Sequence, residues 1–285
     1  MQYLYHMADL RILCQIPFPV RVQKECENFV SDMTNQNIVD QDLTFRFCPV
    51  QTLGPIPPVG HWDTARFYSR SGTYFYTSKQ GSAYALVQKD SDGNGTVKYL
   101  AGHEDYLNYS TNICDLLGLE SILLQHQALL LHASFVRAWG QGVLFSAPSG
   151  TGKSTQAELW KQYFGADIIN GDRAILRLEE GKWQAFGSPY AGSSRIYRNE
   201  KAPVRAIIVL RQARENHIRL LPTTQSVFAL FPEITIHRWD ETFTVQALQL
   251  LTALLSRVPV YLLECRPDRE AVETASRVIF PERSL

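Results

Sequence analysis

The sequence predicts a mixed α/β (α+β) fold in two parts, a β-rich segment over 1–107 and a strand-and-helix segment over 108–285. Three observations predict it. Short runs of aromatic and β-branched residues between Gly, Pro and Ser breaks dominate the first part. Apolar residues at helical spacing alternate with strand-like runs in the second. An apolar strand, a glycine-containing turn and a helix follow one another over Gly142–Trp160.

In chain order, Tyr3–Ile16, Leu43–Val50, Arg66–Ser69, Thr73–Thr77 and Ala83–Gln88 read as strands. Leu53-Gly-Pro-Ile-Pro-Pro-Val-Gly60 reads as an irregular loop, because each Pro removes a donor and restricts the residue before it. Asp90-Ser-Asp-Gly-Asn-Gly-Thr-Val97 copies the opening of a calcium-binding EF-hand loop, but its twelfth position is Ala101 instead of a bidentate carboxylate. With strand-like flanks, a hairpin turn is expected there.

Ile113, Leu116, Leu117, Leu119, Ile122, Leu123 and Leu124 recur at helical spacing and predict one amphipathic helix from about Asn108 to Gln127. Ala128–Arg137 is a strand that turns at Trp139–Gly142 and returns as the strand feeding the glycine turn. That hairpin departs from a doubly wound fold, in which the next parallel strand arrives through a crossover helix. A short strand then leads to Asp172, and Ala174–Leu178 with Lys182–Phe186 form a hairpin. Gly187–Arg195 is a loop of small residues, a lid or substrate rim. Val204–Leu210 is a buried strand, Thr242–Arg257 and Asp268–Val278 are helices, and Val260–Cys265 is the strand between them.

The glycine turn carries the chemistry. In Ala147-Pro-Ser-Gly-Thr-Gly-Lys-Ser-Thr155, Gly150 and Gly152 allow the loop from Pro148 onward to curl so that the backbone N–H groups of Ser149, Thr151 and the residues after them point at one place, and the helix that starts near Lys153 adds its positive end. Lys153 reaches the outer phosphates of a nucleoside triphosphate, and the Ser154 hydroxyl, followed by Thr155, is placed for the bridging magnesium. The full pattern opens on Gly, where this chain has Ala147, a position that a strand end at negative φ tolerates. Asp172, at a strand end, is placed to share that metal. Arg195, Arg198, Lys201, Arg205, Arg211, Arg214 and Arg219 form a basic run that faces nucleotide phosphates, an acidic acceptor or solvent.

Composition narrows the partners. Lys+Arg and Asp+Glu are both 28, so no global charge favours nucleic acid or an anionic membrane. No export segment or membrane span is expected, and the five scattered cysteines read as reduced thiols of a cytoplasmic protein.

Leu131-His-Ala-Ser134, the hairpin into Ala147–Ser154, Asn170-Gly-Asp172 and Ala206-Ile-Ile-Val-Leu210 together resemble the catalytic domain of HPr kinase/phosphorylase. They are more similar still to the HPr-kinase-like proteins associated with peptide-modifying gene clusters. The resemblance covers roughly 128–280 and implies the phosphoenolpyruvate-carboxykinase-like P-loop core, in which a hairpin precedes the phosphate loop. By it, His132 matches the histidine before that loop, Ser149–Thr155 the loop, and Asp172 the metal-associated second member of a paired aspartate. The first member, the family's general base, is Gly171 here, which leaves the proton to Asp172 or His132. The resemblance does not extend to the N-terminal half, so neither hexameric assembly nor phosphorylase activity is carried over, and homo-oligomerisation is left open.

The expectation is therefore an ATP- and magnesium-dependent kinase acting on a Ser/Thr hydroxyl of a peptide or small protein, with His132, Lys153 and Asp172 as its catalytic set. A small-molecule kinase of the free-serine type and a non-catalytic nucleotide sensor or scaffold are the alternatives. A transport-type ATPase is disfavoured, because no L-S-G-G-Q-like segment and no apolar run ending in Asp-Glu follows the turn.

Overall fold

The computed structural model describes residues 1–36, 40–55, 60–63, 66–69, 74–77 and 82–283. Part of the expected Pro-rich loop, 56–59, and Thr73 lie outside the described residues. The chain divides into two compact units, Met1–Ile122 and Leu123–Leu285.

Among the described residues, the first unit is built on a nine-stranded mixed sheet in the order β3-β1-β2-β4-β9-β8-β7-β6-β5. Its strands are β1 (Gln2–Met7), β2 (Leu10–Gln15), β3 (Val30–Asp32), β4 (Leu43–Val50), β5 (Gly60–Asp63), β6 (Arg66–Ser69), β7 (Tyr74–Thr77), β8 (Ala83–Lys89) and β9 (Gly95–Leu100). The single strand expected over Tyr3–Ile16 is a hairpin, turned at Ala8 and Asp9, whose φ values of 50° and 57° place both in the left-handed region. That conformation suits a two-residue hairpin turn, yet neither position is the glycine that would announce it in sequence. The Asp90–Asn94 segment is the hairpin turn between β8 and β9, closed by the Asp92 N–H donating to Asp90 Oδ1 at 2.9 Å.

The long helix expected from Asn108 to Gln127 is two, α1 (Ser110–Leu117) and α2 (Leu119–Gln125). Gly118, at φ 64°, takes the left-handed conformation that ends α1, and its N–H donates to Asp115 O.

The second unit is an eight-stranded sheet between helices. Two long strands, β10 (Ala128–Ala138) and β15 (Lys201–Gln212), each serve two sets of neighbours. The first half of β10 pairs with β13 (Arg173–Glu179), and its second half with β11 (Gln141–Ser146) and β12 (Asp167–Asn170). The start of β15 pairs antiparallel with β14 (Lys182–Phe186), and its later part runs parallel to both β11 and β17 (Val260–Cys265). The β13–β14 hairpin completes a circuit of pairings from β11 through β10, β13, β14 and β15 back to β11. Beyond β17 lies β16 (His217–Leu220), which the sequence pattern did not reveal.

Strand alternation explains the layers. Leu129, Leu131, Ala133, Phe135, Leu144 and Ile207 share one core with residues of α4 (Thr223–Leu230) and α5 (Glu241–Leu255). Val136, Val143, Phe145, Ala206 and Ile208 face the opposite way, toward α3 (Lys153–Phe164) and α6 (Arg269–Ile279). Trp160, fully buried, stands edge-on to Phe145 at 5.7 Å between ring centres and ties α3 to β11. The N-termini of α5 and α6 are capped by Asp240 and Asp268, whose carboxylates accept from Phe243 N–H and Ala271 N–H. Among the described residues, no helix is long and apolar enough to cross a membrane.

Candidate functional site

The parallel strands β11, β15 and β17 open at one edge, where their C-terminal ends meet connecting loops. The connection from β11 to α3 is the glycine turn, with Gly150 at φ 81° and Gly152 at φ 117°. A Cβ at either glycine would meet nothing within 4 Å. Glycine is demanded there by backbone conformation, and the space before it is open. Pro148, Ser149, Gly150, Ser154 and Thr155 are exposed, while Thr151 and Gly152 are half-buried. Lys153 lies back over its own turn, its Nζ donating to Ala147 O at 2.7 Å and Pro148 O at 3.3 Å. Burial lowers its pKa, and the charges of Glu233 and Asp172 oppose that shift.

His132 sits where β10 changes partners, paired with Arg173 of β13 while the next residue, Ala133, pairs with Ser146 of β11. The strand exchange thereby aligns the histidine with the residue that follows Asp172. His132 Nε2 lies 3.5 Å from Asp172 Oδ1, and His132 Nδ1 lies 2.8 Å from Glu233 Oε2. Both flanking carboxylates favour the imidazolium, Asp172 most, so the His132 pKa is raised despite partial burial. Asp172 is held below its ordinary value chiefly by His132, with Arg173 and Lys153 adding to the effect.

Asp172 is presented by a turn that Asn170 builds. The Asn170 Oδ1 accepts from the N–H groups of Asp172 and Arg173, both at 2.8 Å. Its Nδ2 donates to Ser188 O at 2.8 Å and Tyr190 O at 3.2 Å, which joins the turn to the Gly187–Arg195 loop. Ala133 N–H donates to Asp172 O at 2.9 Å and the Ser134 hydroxyl to Gly171 O at 3.0 Å. The same loop closes over Gly171, where a Cβ would fall 1.8 Å from Ser194 Oγ. A side chain at 171 and the present position of Ser194 are mutually exclusive.

His132 and Asp172 are therefore brought together, and Lys153 shares their electrostatic environment. Glu233 was not anticipated. It belongs to a 3-10 turn, Phe231–Glu233, which an Ile234–Leu131 bridge and the Thr235 N–H to Leu130 O bond dock onto β10. The basic run does not converge here: Arg198 faces Asp167 and Glu200, Lys201 faces Glu179, Arg205 faces Glu282, and Arg211 faces Glu264. Among the described residues, no group of three or more His, Cys, Asp or Glu side chains is arranged to hold a metal ion.

Comparison with known proteins gives one family. A family model described as SynChlorMet cassette protein ScmC matches residues 116–274, more than half of the chain. No curated protein matches. Among solved structures, the Hpr(Ser) kinase/phosphatase from Coxiella burnetii is similar over 54% of this chain and 97% of its own, at 14% identity and a TM-score of 0.34.

Proposed function

The chain belongs to the family described as SynChlorMet cassette protein ScmC, and from that premise we propose that it is an ATP- and magnesium-dependent kinase. The acceptor is a Ser or Thr hydroxyl of a peptide or small protein. The observation that carries this reading is the His132–Asp172 pair, 3.5 Å apart, at the exchange where β10 turns from β13 to β11, the strand that runs into the glycine turn and Lys153.

Phosphoryl transfer asks a protein for positioning and charge neutralisation more than for covalent chemistry. The N–H groups of the glycine turn and the start of α3, read as a P-loop of the phosphoenolpyruvate-carboxykinase-like type, hold the phosphates, the Thr151 N–H giving up its bond to Pro148 O to do so. Lys153 exchanges its two carbonyl acceptors for phosphate oxygens, which recovers in a charge-assisted bond what it leaves behind. Magnesium needs only one or two carboxylates together with phosphate and water oxygens, and the ionised Asp172 with the Ser154 hydroxyl fits that donor set. When bound, the ion neutralises charge that develops on the transferring group. The Asp172 carboxylate receives the acceptor hydroxyl's proton, since no carboxylate stands at Gly171 and the His132 imidazole is committed to two carboxylates. His132, charged, holds Asp172 in place and offsets local negative charge.

A non-catalytic nucleotide sensor is the second reading, favoured by one observation: Ser194 occupies the space that a side chain at Gly171 would need. Labelled γ-phosphate transfer, screened against the products of neighbouring genes with mass spectrometry to locate the modified atom, separates the two. Transfer that disappears in Lys153→Ala and Asp172→Asn supports the kinase. Transfer unchanged in Lys153→Ala overturns it, and tight nucleotide binding without turnover on any acceptor favours the sensor.

A further inference from the structure

The loop that closes over Gly171 brings a hydroxyl of the chain's own to the Asp172 strand end. Gly192-Ser193-Ser194 forms a short 3-10 turn whose first two residues are exposed and whose third is half-buried. A Cβ placed on Gly192 would lie 2.8 Å from Asp172 Cγ, and one placed on Gly171 would lie 1.8 Å from Ser194 Oγ. The two ends of the turn therefore rest on adjacent residues. With about 1.5 Å for a carbon–carbon bond and about 3.8 Å between consecutive Cα atoms, the Ser194 hydroxyl is no more than about 7 Å from Asp172 Cα.

The loop is anchored on both flanks and bonded to itself at its tip. On one side Asn170 Nδ2 donates to Ser188 O and Tyr190 O, and on the other Gly171 N–H donates to Ile196 O at 3.3 Å and Arg198 N–H to Ile169 O at 3.0 Å. Ser194 Oγ donates to Ala191 O at 2.7 Å and accepts from Ile196 N–H at 3.3 Å, both within the loop. A small shift of the tip gives up those two bonds and keeps the flanking ones, so the hydroxyl can turn to Asp172 while the loop stays docked. The glycine turn meets the same strand end. Lys153 Nζ rests on Ala147 O, the preceding Ser146 pairs with Ala133, and Ala133 N–H donates to Asp172 O. Two strand spacings, about 10 Å, thus separate β11 from the residue that carries the carboxylate.

We propose that Ser194 is a modification site, the acceptor of a phosphoryl group that the chain transfers to itself. In that step Ser194 Oγ attacks the γ-phosphorus of the nucleoside triphosphate. The Oγ–P bond forms as the bond from that phosphorus to the β,γ-bridging oxygen breaks, the diphosphate leaves with the electron pair, and the hydroxyl proton passes to the Asp172 carboxylate. Glycine at 171 is what admits the serine, since any side chain there would occupy its place. The inference rests on the kinase reading of Lys153 and Asp172, and it adds an acceptor within the chain to the external one.

The full chain, incubated with γ-labelled ATP and magnesium, alone and with the products of neighbouring genes, then denatured, digested and mapped by mass spectrometry, tests this. Alone, the wild type is expected to take up stoichiometric label on Ser194, at a rate per chain that does not change when the protein is diluted tenfold. Lys153→Ala should abolish the label. Ser194→Ala should lose it from the 192–194 turn and still transfer to an external acceptor. Label that reaches an added acceptor but never Ser194, or that settles on another residue of the chain, overturns the inference and leaves the kinase standing. A labelling rate that falls in proportion to dilution assigns the transfer to a second copy and overturns the step within one chain. Absence of label from the chain and from every acceptor overturns the kinase reading together with the inference.

Discussion

Gly171 and Ser194 compete for the same volume. A Cβ on residue 171 would lie 1.8 Å from Ser194 Oγ and 2.4 Å from Ser194 Cβ, so even Ala displaces the loop. Overpacking of this kind costs about 1–3 kcal/mol. Gly171→Ala should lose that much in urea denaturation, and Ser194→Gly, nearly neutral alone, should restore most of it in the double variant. A coupling below about 0.5 kcal/mol in that cycle would mean that the loop yields freely. Under the proposed function, Glu233, bonded to His132 Nδ1, is a positioning residue that acts through the imidazole. Glu233→Gln keeps a hydrogen-bonding partner for Nδ1 and should retain more transfer activity than Glu233→Ala, with KM for nucleotide unchanged in both. The pair also sets a pH dependence. The raised His132 pKa stabilises the fold fully below the unfolded value of about 6.5, and that stability is lost as pH rises through the folded value. The lowered Asp172 pKa acts oppositely, stabilising above its ordinary value of 3.8 and losing that contribution as pH falls through the folded one. Removing the imidazole in His132→Gln should therefore cost stability at pH 6 and progressively less above it. Both side chains are partly exposed, at 27% and 30%, so the whole effect is on the order of 1 kcal/mol or less.

At the scale of elements, the connection from β12 to β13 is the one on which the site depends. Asn170 is completely buried and serves as acceptor for two N–H groups and donor to two carbonyls. Each such bond contributes roughly 0.5–1.5 kcal/mol, and unpaired buried partners cost more. Asn170→Ala should lower unfolding free energy by about 3 kcal/mol. Asn170→Asp keeps the acceptor that shapes the turn and loses the donor that ties the 188–190 loop. It should retain more stability than Asn170→Ala. The sequence had disclosed the elements on either side, because β10, β11, α3, α5, β17 and α6 combine strong periodicity with glycine or aspartate at their ends. Elements without such punctuation were missed. The β1–β2 turn uses Ala8 and Asp9, where a glycine would have announced it. β16 and α4 lie in and after a stretch read only as basic residues, and β16, mostly exposed, lacks the apolar alternation of a half-buried strand. The site divides along the same line. His132, Lys153 and Asp172 belong to local patterns, whereas Glu233 stands 101 residues from its partner in a turn with no period, and only the folded chain brings it to His132.

For the whole molecule, the proposed function turns on which edge of the sheet a nucleotide would cover. β11, β15 and β17 run parallel, so the loops that follow all three gather at one edge, with α3 pointing its N-terminus at the same place. The face covered by α4 and α5 has no comparable convergence. Its shallow depression of about 510 Å³ is lined by Gln125, Gln127, Gln246, Gln249 and apolar residues, with no glycine turn and no cation to meet a phosphate. A ligand that binds only the folded state stabilises it by about 2.7 kcal/mol at a hundredfold excess over its dissociation constant. That stabilisation is distributed over the segments whose opening releases the ligand. Hydrogen exchange with ATP and magnesium should therefore slow most over 147–156, 170–173, 210–213 and 265–267. The 246–253 stretch of α5, on the opposite face, should exchange nearly as before. Protection concentrated on α5 instead would move the nucleotide to the other side of the sheet and separate it from Lys153 and Asp172, which a phosphoryl transfer at this edge does not survive.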